Sequence, residues 1–113
     1  MRDATAEFFN ALEERGHEPA LEKATGTVRF DLIDGKRTSR WLVAIEKGDI
    51  AVSHRNAKAD CVVRAEKALF DRIVSGKQNA MASVLRGALE LDGDPTLLLP
   101  LQRLFPAAPR RAR

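Results

Sequence analysis

The sequence predicts a single domain of the α+β class, and three observations carry that prediction. The 113-residue chain lies near the commonest domain size. Its apolar residues recur at helical spacing over residues 3–15 and 66–86 and at every second position over much of 27–65. The first period-two stretches are separated by turns too short for a parallel crossover, so they must pair antiparallel. A chain this long buries roughly two-thirds of the surface it exposes when unfolded, enough for one core.

The first element is a helix over Asp3–Arg15. Ala4, Phe8, Phe9, Ala11 and Leu12 share its apolar face, Glu7, Glu13 and Glu14 lie opposite, and Gly16 is the stop. Residues 17–25, with Pro19 and Leu21, read as a loop or a short helical turn. Val28, Phe30 and Leu32 then alternate with Arg29 and Asp31 through a strand over Thr27–Ile33. Asp34-Gly35 opens a hairpin into Arg40–Glu46, where Trp41, Val43 and Ile45 share one face. Leu42 and Ala44 on the other face imply partial cover there too. After Lys47-Gly48-Asp49, a third strand carries Ile50, Val52 and His54, completing an antiparallel meander.

A fourth strand spans Ala59–Ala65, with Cys61, Val63 and Ala65 alternating. Glu66–Ser75 is helical through Leu69, Phe70, Ile73 and Val74, and Gly76 ends it. Asn79–Arg86 is a shorter helix with Ala80, Met81, Val84 and Leu85 clustered, ended by Gly87. Leu89 and Leu91 mark a fifth strand over Ala88–Asp92. Asp94 and Pro95 suit the start of a last helix. That helix carries Leu97, Leu98, Leu101, Leu104 and Phe105 on one face and Leu99 nearly opposite. Pro100 cannot donate to the carbonyl of Thr96, so a kink or restart is expected there. An element apolar on more than one side belongs deep in a core, over a cavity, or against a partner.

Composition is 44% hydrophobic, 31% charged and 5% aromatic, which excludes a disordered or low-complexity chain. No apolar run approaches the ~20 residues of a membrane span. The acidic start without an apolar stretch, and a single cysteine, lead to the expectation of a cytoplasmic protein without signal peptide or disulfide. The formal charge of +3 comes from the end of the chain. Without Arg110, Arg111 and Arg113, Lys+Arg falls from 19 to 16 and equals Asp+Glu. A neutral body with interspersed charges is unlike the basic stripe of a nucleic-acid binder, so no nucleic acid is expected as partner. Residues 107–113 read as a basic tail outside a domain of residues 1–106. The tail's three arginines are a candidate for weak contact with a membrane surface or a phosphate, against the plainer reading of a frayed, solubilising terminus.

The inventory for chemistry is thin. His17, His54 and Cys61 are too few and too scattered for a structural zinc site, and a strand cysteine is usually a small buried apolar residue. There is no phosphate-binding glycine loop, dinucleotide fingerprint or nucleophile elbow. Asp34 and Asp94 sit where turns and caps need a carboxylate. Arg29, Asp31, Arg40 and Glu46 read as outward sheet charges. No enzyme, cofactor or metal is expected.

Several segments resemble the sterol-binding domain family of sterol carrier protein 2 over about Phe8–Phe105. They are Gly26-Thr27-Val28-Arg29-Phe30-Asp31-Leu32-Ile33-Asp34-Gly35, Trp41-Leu42-Val43 with Gly48, and Ala59-Asp60-Cys61. Phe70 through Ser75-Gly76-Lys77 and Asn79, Arg86-Gly87-Ala88-Leu89-Glu90-Leu91-Asp92-Gly93-Asp94, and Leu101-Gln102 with Leu104 follow in order. The resemblance implies a five-stranded, largely antiparallel sheet covered by helices, with an apolar tunnel between the layers. It implies binding of sterols, fatty acids, acyl-CoA or phospholipids, without cofactor or covalent chemistry. The ending Ala-Pro-Arg-Arg-Ala-Arg differs from the Ser-Lys-Leu peroxisomal address that sterol carriers of this family often bear. The high Ala and Arg content points to a bacterial source.

Within that frame, strand parity makes Phe30, Leu32, Trp41, Val43, Ile45, Val52, Cys61 and Val63 the ligand-binding floor. Phe70, Val74, Met81, Val84, Leu85, Leu98, Leu101 and Phe105 make the roof. The plainer alternative is that these side chains pack on one another without a cavity. The expected function is non-enzymatic binding, and transfer, of a hydrophobic ligand in an apolar cavity, by a monomer or homodimer. The last helix would be its movable roof. A small dimerising module with the same fold and no open cavity is the alternative.

Overall fold

A computed structural model of the chain describes residues 3–97 and 104–105. Helix α1 spans Ala4–Arg15. The Asp3 side chain accepts from the amide of Ala6 at its start, and Gly16 closes it in a left-handed conformation. Thr5, Phe9 and Leu12 are its buried residues; Ala11, expected on that face, is exposed. Thr5 takes an inward position because its amide and hydroxyl both donate to Asp71 Oδ1, at 3.1 and 2.5 Å. A 3-10 turn at Pro19–Leu21 follows and buries Leu21.

Strands β1 (Thr25–Asp34), β2 (Arg37–Glu46) and β3 (Asp49–Ser53) form the expected meander. The β2–β3 turn is the pair Lys47-Gly48, both at positive φ (49° and 93°), the twist that matches two flanking strands. Strand β4 (Cys61–Glu66) lies on the far side of β1 and runs parallel to it. Strand β5 (Glu90–Gly93) completes the sheet in the order β3-β2-β1-β4-β5. Between β4 and β5 lie helices α2 (Lys67–Val74) and α3 (Ala80–Leu85).

The described part of the last element, Pro95–Leu97, is a 3-10 turn. Asp94 opens it as expected, its Oδ1 accepting from the amide and the hydroxyl of Thr96. Residues 98–103, with Leu98, Pro100 and Leu101, and the tail from residue 106 onward lie outside the described residues.

One sheet face carries the core. Register places Val28 opposite Val43 and Cys61, and Phe30 opposite Trp41 and Val63. Phe9, Leu12, Leu21, Leu69, Phe70 and Ile73 cover that face from the helical layer. The edge at β3 is tied to the chain after α1. Ile50 donates its amide to Gly16, and Glu18 to Gly48, each at 2.8 Å.

The opposite face is less open than its charges imply. Leu42 is buried, in keeping with the partial cover expected on the face it shares with Ala44. Asp31, expected as an outward surface charge, is only 2% exposed. Arg29 grips its carboxylate with Nε (2.9 Å) and Nη2 (3.1 Å), while Arg29 Nη1 donates to Ala57 of the β3–β4 connection at 3.0 Å. Arg40 Nε lies 3.7 Å away, buried and without a hydrogen-bond partner among the described residues.

Candidate functional site

All eight floor residues lie on the helix-covered face. Phe30, Leu32, Trp41, Val43, Ile45, Cys61 and Val63 are buried, and Val52 is half-buried at the edge strand. The roof divides. Phe70 is buried, and Val74, Val84 and Phe105 are partly buried against the core. Met81 is half-buried but is not among the residues packed on the core, and Leu85 is 82% exposed. The expected grouping of Met81 and Leu85 with the inward face of α3 is therefore corrected. Ser83 is fully buried, with its hydroxyl donating to Asn79, and its carbonyl accepts the amides of Ala88 and Leu89. At 100° per residue, a face centred on Ala80, Ser83 and Val84 turns Met81 and Leu85 away from the core. Leu98 and Leu101 fall outside the described residues.

Between the layers sits an aromatic cluster. Phe9 stacks on Trp41 (centroids 4.6 Å) and on Phe70 (5.7 Å) and meets Phe30 edge-on at 5.1 Å. At the rim, Phe8 stacks on Phe105 at 5.3 Å, and His54 lies 4.1 Å from Trp41. Sequence parity identified the sheet half of this cluster and missed Phe8 and Phe9. The signal for them was the apolar face of α1, which needed a partner layer.

Several cavities are lined by described residues other than Phe30, Trp41 and Phe70. They include one of about 440 Å³ between the ends of β1 and β4, α2 and the α3–β5 connection. Another, of about 350 Å³, is lined by Thr25, Thr27, Ala44, Ile45 and Ile50 and other residues at the β1–β3 end of the sheet.

No group of three or more His, Cys, Asp or Glu side chains able to hold a metal occurs among the described residues. Burial pushes the Cys61 thiol up, and the charges of Asp94 and Asp92 add to the shift. A thiol so held stays protonated at neutral pH and is a poor nucleophile. Asp60 has a structural task. It accepts from the Thr27 amide at 2.9 Å, and its carbonyl accepts from Asp94 at 2.8 Å, so it pins the β3–β4 connection to β1 and to the end of β5. No helix of the described residues is long and apolar enough to cross a membrane.

A five-stranded sheet with an apolar, aromatic interlayer under two helices is thus the setting in which all the sheet candidates meet. The chain belongs to the SCP-2 sterol transfer family, whose model matches residues 9–106. The solution structure of the sterol carrier protein domain 2 of Helicoverpa armigera superimposes with a TM-score of 0.72 at 21% identity, covering 89% of this chain and 84% of that one. At that identity the likeness establishes the fold.

Among curated proteins, hydroxysteroid dehydrogenase-like protein 2 of Xenopus laevis is 26% identical over 101 residues, covering 88% of this chain and 24% of its own length. Sterol carrier protein 2 of Bos taurus is 28% identical over 101 residues, covering 87% of this chain and 18% of its own. The chain thus spans a quarter or less of these relatives. Family and fold are consistent with lipid binding.

Proposed function

We propose that the chain is a non-catalytic binding domain that holds the apolar body of a lipid-like ligand between the helix-covered sheet face and the helical layer. Membership of the SCP-2 sterol transfer family over residues 9–106 is the observation that carries this reading. The aromatic interlayer supports it, because aliphatic and aromatic walls favour a hydrocarbon by roughly 0.8 kcal/mol per buried methylene. The contact set is best drawn from side chains that already border solvent. A fully buried residue such as Val43 has no free surface to offer. Val52, Val74, Val84 and Phe105 are partly buried against the core and, with Phe8, form the border where a ligand would part the layers. Trp41, 9% exposed and beside His54, is the least buried floor residue after Val52.

In this reading residues 1–106 form the binding unit, the basic tail lies outside it, and transfer between membranes follows from reversible binding. The relative named as a dehydrogenase-like protein would carry its chemistry in the three-quarters of its length that this chain does not match. The test is displacement of a fluorescent fatty acid, followed in parallel by Trp41 emission. Saturable binding in the micromolar range, about −8 kcal/mol, is expected. Absence of saturation across fatty acids, acyl-CoA, sterols and terpenoids, with a dimer in solution, would replace this reading by that of a dimerising module.

A further inference from the structure

The 440 Å³ cavity lies away from the aromatic interlayer. Its walls are the ends of β1 and β4, Leu69 and Arg72 of α2, and the α3–β5 connection. Ile33, Ala65, Leu69 and Ala88 give it apolar surface, and Ile33 is one of the two exposed large hydrophobic residues among those described. Its charges are Arg64, Arg72 and Arg86 against Glu66 and Glu90. They are not equivalent. Arg64 faces Glu90 directly across the β4–β5 register and lies 4.0 Å from the buried Asp31 carboxylate, so its charge is already answered.

Arg72, on α2, and Arg86, at the end of α3, are different. Among the described residues neither guanidinium has a hydrogen bond or an ion pair. Two solvent-exposed guanidinium forks without a protein partner among the described residues therefore border one concave surface, with Glu66 as the remaining opposing charge. Guanidinium groups match the oxygens of a phosphate or carboxylate in pairs, and they outbid water best beside apolar surface. A cavity with cationic groups at its rim and aliphatic walls is complementary to an anionic head joined to a short hydrocarbon stem.

We propose that this cavity binds the phosphate or carboxylate head of an amphiphile, with Arg72 and Arg86 on the anion and Ile33 and Leu69 on the first methylenes. This is a second site, separate from the interlayer.

The test is an amide chemical-shift titration with hexyl phosphate, with inorganic phosphate and hexanol as the other arms. Hexyl phosphate should saturate with shifts centred on Gly87, Ala88 and Leu69. Arg72→Ala and Arg86→Ala should each weaken it about tenfold, as loss of a charged hydrogen bond does. Glu66→Gln should tighten it, an opposite sign that a merely damaged fold would not give. Both arginines are exposed, so their variants keep the core intact. Inorganic phosphate binding as tightly as hexyl phosphate would overturn the role of the apolar wall, and hexanol doing so would overturn that of the arginines. Unchanged affinity in both arginine variants, or shifts centred on Trp41 instead, would remove the site altogether. The change in Trp41 emission on fatty-acid binding, which reads the interlayer alone, should be unaffected by Arg72→Ala and Arg86→Ala, so the two sites are read separately.

Discussion

Phe9 and Trp41 stack with their ring planes 13° from parallel and their centroids 4.6 Å apart. One ring comes from the first helix and the other from the second strand, so this pair joins the two layers directly. Phe9 also stacks on Phe70, and each of the three rings is at least nine-tenths buried. Phe9→Ala should cost about 3–5 kcal/mol, as should Trp41→Ala. Denaturant unfolding checks both. Trp41 emission should be blue-shifted in the wild type, shift to the red in Phe9→Ala, and respond to a bound lipid. Red emission in the wild type would show that Trp41 is not packed under Phe9.

Asp31 is a second point of high cost. Its carboxylate is buried, and Arg29 holds it with two nitrogens while reaching the Ala57 carbonyl with a third. Asp31→Ala leaves Arg29 partly buried without its partner, and a loss of about 3 kcal/mol is expected. Asp31→Leu combined with Arg29→Met should recover a large part of it, since an apolar pair removes the stranded charge along with the acid. A double variant no more stable than Asp31→Ala would contradict this.

His17 predicts a pH dependence. Its Nδ1 lies 2.8 Å from Asp49 Oδ1 and its Nε2 3.2 Å from Glu22 Oε2. A neutral imidazole has one N–H, so donation to both carboxylates requires the imidazolium. The hydrogen bond to Asp49, then that to Glu22, raises the His17 pKa above 6.5. The folded state therefore holds this proton more tightly than the unfolded state. The contribution is complete below the unfolded value and is lost as pH rises through the folded one. Melting temperature should fall on going upward from about pH 6.5, and the fall should be flattened in His17→Gln. The site is exposed, so added salt should weaken the effect. The same slope in His17→Gln would assign it to another group.

Gly93 ends β5 where the chain has no room for a side chain. A Cβ there would lie 2.2 Å from the Asp60 carbonyl oxygen and 3.1 Å from Cys61 Cα, at a φ of +105°. Both obstacles are backbone, so neither can rotate aside. Gly93→Ala should lose about 1–3 kcal/mol from overpacking, in addition to the strain of its positive φ. Hydrogen exchange should show the loss first in the β4–β5 pairing. Exchange there as slow as in the wild type would mean that the strand end moves without cost.

The sequence by itself determined the elements and the inward face of each strand. Period-two alternation leaves only two choices of face per strand, and one of them would expose Val28, Phe30, Trp41 and Val43 together. Turn pairs such as Lys47-Gly48 fixed the meander for the same local reason. What only the tertiary structure decided is what each face meets. The parallel pairing of β4 with β1 joins residues separated by the whole meander, which no local pattern encodes.

The placement of Phe9 over Trp41 follows from how α1 docks. The inward turn of α3 is set by buried Ser83, against the apolar pattern that would have chosen Met81 and Leu85. Asp31 shows the same division most sharply. Its alternation with apolar neighbours marks it as facing away from the core, and that is correct. Its burial comes with Arg40 and Arg64, which pairing with β2 and β4 places opposite it, and with Arg29 on its own strand, which the β3–β4 connection holds through the Ala57 carbonyl. Local periodicity reports direction, whereas burial depends on whatever the rest of the chain lays on top.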